Sequence, residues 1–465
     1  MFFKQYYLGC LSHASYLIGD TASGRAVVVD PQRDISGYLH DAAAAGLSIE
    51  RVIETHFHAD FLSGHLELAE ATGAVISFGA DAAGRTEFAM EPLGHLQRLE
   101  LGDVVLEIRA TPGHTPESIS IVVYGRSDAD AVAVLTGDTL FIGDVGRPDL
   151  LSSVGVSADG LARQLFHSLH EQLLTLPDAT KVYPAHGAGS ACGKNLSTDT
   201  VSTIGEQRRT NYALAPMTEE QFVHAVTEGQ AAAPMYFLFA ANKNRAERTI
   251  LDEADQLAQL DLNAVLAAQR DGAAVIDTRD NADFSGGHLR GSINVGLSGR
   301  FAEYTGEVVR PNTPIVLVSD AGYEPEARIR LSRIGFDTVI GVLANPMQVF
   351  QHHPDVVESA SRLTVQQFEQ RRASLATLQI VDVRGPGEVE HGMIAGAIHI
   401  ELPALLARLG ELDPTVPTVV YCAGGYRSSI AASALRANGF TDVSDILGGY
   451  TAWATLRDPA PPTVG

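Results

Sequence analysis

Four short polar motifs, each closing an apolar run, constrain this chain more than any other feature. Thr55-His56-Phe57-His58-Ala59-Asp60 ends the run that begins at Arg51, and Thr111-Pro112-Gly113-His114-Thr115-Pro116 follows VVLEIRA (104–110). Thr136-Gly137-Asp138-Thr139 and Pro184-Ala185-His186-Gly187 close two further runs. Alternate residues of an extended turn point the same way, so His56 and His58 can converge. A lone loop histidine is usually a solvated bystander; four ligand-bearing segments at strand ends form a pattern.

The runs themselves read as strands: AVVVD (26–30), RVIET (51–55), AVISF (74–78), VVLEIRA, SIVVY (120–124), VLTGDTLF (134–141) and KVYPAHG (181–187). Between them HLELAEATG (65–73) and LARQLFHSLHEQLLTL (161–176) read as helices, the second with apolar residues at helical spacing. A sheet-rich α/β sandwich is expected over residues 1–245.

With 465 residues the chain exceeds one hydrophobic core. After about residue 250 an internal repeat appears. VIDTRDNADFSGGHLRGSINV (275–295) lines up with IVDVRGPGEVEHGMIAGAIHI (380–400), placing Asp277 on Asp382 and Arg279 on Arg384. VLVSDAGY (316–323) lines up with VVYCAGGY (419–426). Two further α/β domains are therefore expected, at 255–355 and 362–465, joined near PDVVES.

A net charge of −23 argues against nucleic acid or an anionic membrane as partner. Only three cysteines, Cys10, Cys192 and Cys422, occur, which is no disulfide framework and fits a reducing compartment. No basic segment followed by an apolar run opens the chain, and a cytoplasmic location is the expectation.

The order of the four motifs resembles the metallo-β-lactamase superfamily, whose full turn motif is His-x-His-x-Asp-His. Here Phe61 stands at the last position. In dinuclear members that histidine serves a second metal, together with the preceding Asp and the last histidine; a phenyl ring cannot. The resemblance therefore implies one metal, held by His56, His114 and Asp138. Two imidazoles and one carboxylate suit non-haem Fe(II) and O2, although zinc accepts the same donors and spacing alone does not choose between them.

THFHADFLSGHLELA, PGHTPESISI, LTGDTLFIGDVGRPDL and VYPAHGAGSACGKN resemble persulfide dioxygenases, above all the branch fused to rhodanese domains. That resemblance covers nearly the whole chain. It implies a metallo-β-lactamase αββα sandwich followed by two rhodanese-like α/β domains with central parallel sheets. It also assigns one iron to His56, His114 and Asp138. His58, Asp60 and His186 would line the site and orient ligands or substrate, with Arg147 and Asp149 as further supports or as an ordinary structural ion pair. His65, one helical turn past Phe61, reads as a helix-face histidine, and His95 as an inert loop residue.

Cys422 opens Cys422-Ala423-Gly424-Gly425-Tyr426-Arg427-Ser428, between an apolar strand and the helical stretch that follows. Loop amides and a helix N-terminus favour a thiolate there, and Arg427 adds positive charge. The segment resembles the rhodanese active-site loop, which implies a persulfide-carrying nucleophile cradled by Ala423, Gly424, Gly425, Tyr426 and Ser428. The middle domain departs from it, with Ser319 at the cysteine position and Glu324 where Arg427 stands. It reads as a catalytically silent scaffold. Cys192, six residues after His186, reads either as a second thiol relaying sulfur near the metal or as a packing residue. Cys10, in a strand-like segment, reads as structural.

Together these features imply oxidation of a small persulfide such as glutathione persulfide by O2 to sulfite and thiol. Sulfur exchange between thiol, sulfite and thiosulfate follows at Cys422. Whether thiosulfate is made or consumed stays open. The alternative is a zinc-dependent thioester hydrolase of the glyoxalase II type with a sulfurtransferase module; a non-enzymatic sulfur carrier is a third reading. Superfamily analogy allows a homodimer.

Overall fold

The structure is a computed structural model that describes residues 1–125 and 130–457. The end of the 362–465 segment, beyond Arg457, lies outside the described residues. Two compact units emerge: Met1–Gln230 with Phe237–Glu253, and Ala231–Tyr236 with the chain from Ala254 onward.

Among the described residues the first unit holds twelve strands in two sheets, the valine- and isoleucine-rich runs among them. The first sheet takes β1 (Phe2–Leu8), β2 (His13–Asp20), β3 (Arg25–Val29), β4 (Ser48–Ile53), β5 (Val75–Gly79) and β6 (Glu91–Leu93) in sequence order. The second takes β7 (Arg98–Glu100), β8 (Val105–Ala110), β9 (Ile119–Tyr124), β10 (Ala131–Gly137), β11 (Lys181–Pro184) and β12 (Ser202–Thr203). Alternation along each strand decides which layer a residue joins. Tyr16, Ile18, Val27 and Val29 meet Leu106, Ile108, Ile121 and Val123 between the sheets. Leu17, Ala26 and Val28 face outward, under helices α1 (Ser36–Ala44) and α2 (His65–Thr72). Val105, Val122 and Val134 pack on α3 (Ala158–His167). This is an αββα sandwich, as the resemblance implied.

Each polar motif falls just past a strand end: His56 after β4, His114 after β8, Asp138 after β10 and His186 after β11. Gly137 ends β10 at φ +50°, and a Cβ there would lie 2.7 Å from Thr55 Oγ1, so glycine lets two of the motifs touch. The expected strand 134–141 therefore stops at Gly137. The expected helix 161–176 is split, with α3 passing into a π-helical segment at Ser168–Leu173, where Ser168 Oγ donates to the Pro112 carbonyl at 2.7 Å. Cys10 sits in the turn between β1 and β2 rather than in a strand, and it is half-buried.

Among the described residues the second unit holds two five-stranded sheets, each parallel throughout, and one two-stranded antiparallel sheet. The repeat is visible in atoms. Arg279 grips Asp277 and donates to the Gly287 carbonyl at 2.9 Å; Arg384 grips Asp382 and donates to the Gly392 carbonyl at 2.7 Å. Among the described residues no helix is long and apolar enough to cross a membrane.

Candidate metal centre and thiol loop

The four strand ends bring His56, His114 and Asp138 together in a buried cluster whose donor atoms all lie within 4.8 Å of one another. Asp138 Oδ2 is 3.7 Å from His56 Nε2 and 3.5 Å from His114 Nε2. Two donors sharing one ion at about 2.1 Å stand roughly 3.0–3.5 Å apart, so the spacing suits a single cation. Asp138 Oδ2 and His56 Nε2 are buried and have no hydrogen-bond partner among the described residues. Buried polar atoms without partners are costly, and an ion would satisfy both.

The ring nitrogens facing away from this cluster are engaged. His114 Nδ1 lies 2.9 Å from the Arg147 carbonyl, which can only accept, so Nδ1 carries the proton and Nε2 the lone pair. His56 Nδ1 lies 3.0 Å from Thr55 Oγ1, whose own hydroxyl donates to Asp30 Oδ2 at 2.9 Å. Burial and the neighbouring imidazoles push His56 well below the ordinary histidine range, keeping it neutral as a ligand must be.

His58, Asp60 and His186 form a second trio on the same scale. His186 bridges two carboxylates, with Nδ1 2.7 Å from Asp138 Oδ1 and Nε2 2.8 Å from Asp60 Oδ2. Burial opposes its charge, but the two carboxylates win and push its pKa well above the usual value. Phe61 is fully buried, with its ring 4.3 Å from that of His58 and 3.8 Å from that of His13. His13, at the start of β2, was not anticipated. It is buried, its Nε2 has no partner among the described residues, and its backbone bridges to that of His186. No nearby motif marks it; only the pairing of β2 with the His186 segment reveals it.

Behind His58 lie Asp30 and Glu54, also unanticipated, at 3.1 and 3.6 Å from its Nε2. His65 is buried against the same glutamate, at 3.4 Å, and stays away from the His56 cluster. His95 Nδ1 accepts the Ala110 N–H at 3.1 Å. Arg147 is buried and holds Asp149 through two 2.7 Å bonds while its backbone carbonyl orients His114. Cys192 is buried and grouped with Asp138 and His186, where burial and the Asp60 and Asp138 carboxylates push its thiol up well above the ordinary range. That environment favours a protonated thiol.

In the second unit Cys422 Sγ accepts the Gly425 N–H at 3.1 Å and lies 3.6 Å from Ser428 Oγ. Gly425 takes φ +102° to turn its amide inward. Arg427 is tied to Glu388 by two 2.7 Å bonds. The corresponding loop at Ser319 differs, with the Gly322 N–H donated to Glu324 at 2.7 Å.

Comparison with known proteins identifies the family of each part of the chain. The metallo-beta-lactamase superfamily model matches residues 8–186, and the rhodanese-like domain model matches residues 261–353 and 364–456. The mitochondrial persulfide dioxygenase ETHE1 of Bos taurus is 32% identical over 238 residues, covering 50% of this chain and 82% of the relative. That of Homo sapiens is 32% identical over 239 residues, with the same coverage of 50% and 82%. The crystal structure of a metallo-beta-lactamase from Staphylococcus aureus subsp. aureus COL superposes with TM-score 0.66 at 33% identity, covering 73% of this chain and 98% of that one. The chain thus belongs to the metallo-beta-lactamase superfamily, among the relatives of persulfide dioxygenase ETHE1, and carries tandem rhodanese-like domains in its C-terminal region.

Proposed function

We propose that this chain oxidises a small persulfide, glutathione persulfide foremost, to sulfite and thiol, and that Cys422 exchanges sulfur with thiosulfate. The observation that carries the reading is the buried trio of His56, His114 and Asp138, together with Phe61, which packs on His58 and offers no donor to a second ion. These three residues would hold one ferrous ion. When bound, it would supply an oxygen-activating Lewis acid with coordination positions left for substrate.

The protein's part is orientation and charge. The Arg147 carbonyl and Thr55 Oγ1 fix which nitrogens of His114 and His56 face the ion. His186, bridging Asp138 and Asp60, compensates the charge of these buried carboxylates. The buried imidazoles and Phe61 limit bulk water. The balanced reaction is RSSH + O2 + H2O → RSH + SO3²⁻ + 2H⁺, in which the terminal sulfur is oxidised and the S–S bond breaks.

At the other site the Cys422 thiolate attacks the outer sulfur of thiosulfate. A Cys–S–S bond forms, the S–S bond of thiosulfate breaks, and sulfite leaves with the electron pair. The reverse reaction makes thiosulfate from sulfite. The Gly425 amide stabilises the persulfide, and Glu388 holds Arg427 at the loop. Ser319 cannot act in this way, so the middle domain is silent.

One observation favours a second reading. The trio of His58, Asp60 and His186 retains donors for another ion, as a zinc thioester hydrolase of the glyoxalase II type would need. The deciding experiment loads the full chain with iron or zinc and follows oxygen uptake on glutathione persulfide beside hydrolysis of a glutathione thioester. Uptake with iron alone is expected. Thioester hydrolysis by the zinc form without uptake by the iron form overturns the proposal.

A further inference from the structure

The two rhodanese-like domains carry the same loop in different surroundings. In the last domain it feeds the helix Tyr426–Ala437. Three residues on one face of that helix, at i, i+3 and i+7, reach the middle domain. Tyr426 Oη donates to the Gly296 carbonyl at 2.7 Å, and Ser429 Oγ donates to Asn294 Oδ1 at 3.1 Å. The backbone N–H of Asn294 donates to Ser433 Oγ at 3.0 Å. Asn294 is itself clamped, since its Nδ2 donates to the carbonyls of Asp277 at 3.1 Å and Arg279 at 2.9 Å.

Other groups close in on Tyr426. The Tyr304 ring stands edge-on to it at 5.6 Å. A Cβ on Gly299 would lie 2.5 Å from it, a contact that only glycine avoids. Tyr426 directly follows Gly425, whose amide reaches the Cys422 sulfur. Among the described residues the copy without cysteine shows no such anchor: Tyr323, its counterpart of Tyr426, is 55% exposed.

We infer that the middle domain is the positioning partner of the Cys422 loop, with Asn294, Gly296 and Gly299 seating Tyr426 and its helix so that the Gly425 amide faces the sulfur. The silent copy thus completes the active one. This rests on Cys422 as the sulfur carrier proposed above. Amides that stabilise an anion act only when held in place, so a small displacement of Tyr426 lowers reactivity without touching substrate.

The test uses the full chain with Gly299→Ala, Tyr426→Phe and Ser429→Ala. Three quantities are measured: thermal unfolding, the pH profile of Cys422 alkylation read on its own peptide, and kcat and KM for sulfur transfer from thiosulfate to cyanide. For Gly299→Ala the expectation is about tenfold lower kcat with KM nearly unchanged, and an alkylation midpoint moved to higher pH. Tyr426→Phe and Ser429→Ala should move the same way by less. Variants that melt like the wild type yet keep its kcat and alkylation profile overturn the inference. If Gly299→Ala does not fold, the other two variants decide by the same criteria. Cys422→Ser separates the two proposals: retained transfer refutes Cys422 as carrier, whereas lost transfer beside wild-type interface variants refutes only the positioning role.

Discussion

Gly146 offers a sharp test of the metal cluster, because a single methyl there strikes two of its three residues. A Cβ at Gly146 would lie 1.9 Å from the Asp138 carbonyl oxygen and 3.1 Å from His114 Nδ1. The Gly146 backbone lies outside the left-handed region, so alanine meets no conformational obstacle and the effect is purely steric. Real Cβ contacts essentially never fall under 3.0 Å. About 1 Å of movement is therefore required, and a carbonyl oxygen within the site cannot yield as a flexible side chain would. Metal–ligand distances tolerate about 0.2 Å, and displacing supporting groups weakens metal binding by about 10- to 100-fold. We expect Gly146→Ala at the upper end, about 100-fold, or roughly 2.7 kcal/mol. Competition with a calibrated chelator measures it, on protein whose metal-free thermal unfolding matches the metal-free wild type. A folded Gly146→Ala with wild-type metal affinity would refute the assignment of His114 and Asp138 as ligands.

Phe61→His restores a donor beside His58 and should raise bound zinc from one ion per chain toward two while lowering persulfide oxidation; elemental analysis and oxygen uptake report each. Chelating the ion should lower thermal stability, by about 2.7 kcal/mol relative to protein held at a hundredfold excess of metal over Kd, because the partnerless atoms at His56 and Asp138 are left buried. Glu67 is buried between Arg33 and Arg248. Burial pushes its carboxyl up, but the Arg248 and Arg33 guanidiniums prevail and hold it below the ordinary range. A depressed folded pKa stabilises above the unfolded value near 4.5 and is lost as pH falls through the folded value. Glu67→Gln should therefore cost about 3–5 kcal/mol at neutral pH, with the gap to wild type closing in acid; a gap independent of pH in denaturant melts contradicts this.

Much of the first site was legible because its pieces are local. A turn, a glycine and a histidine at the end of a valine-rich run announce themselves over a handful of residues, as in TPGHTP and LTGDT. The exchange of a motif histidine for Phe61 was equally readable. What escaped were residues whose role depends on sheet pairing. His13 reaches Phe61 and His186 only because β2 pairs against the His186 segment. Asp30 reaches Thr55 and His58 only because β3 and β4 run side by side.

The sequence alone determined the chemistry on offer: two imidazoles and a carboxylate at strand ends, one cysteine in a glycine-rich loop, and a second copy of that loop without it. Side-chain identity and backbone propensity are short-range properties, carried by the residues themselves. Tertiary structure decided which nitrogen of each histidine faces the cluster, whether the Cys192 thiol sits among carboxylates, and that Tyr426 is held by a neighbouring domain. Those outcomes depend on contacts between residues far apart in the chain, whose geometry exists only once the sheets have paired and packed.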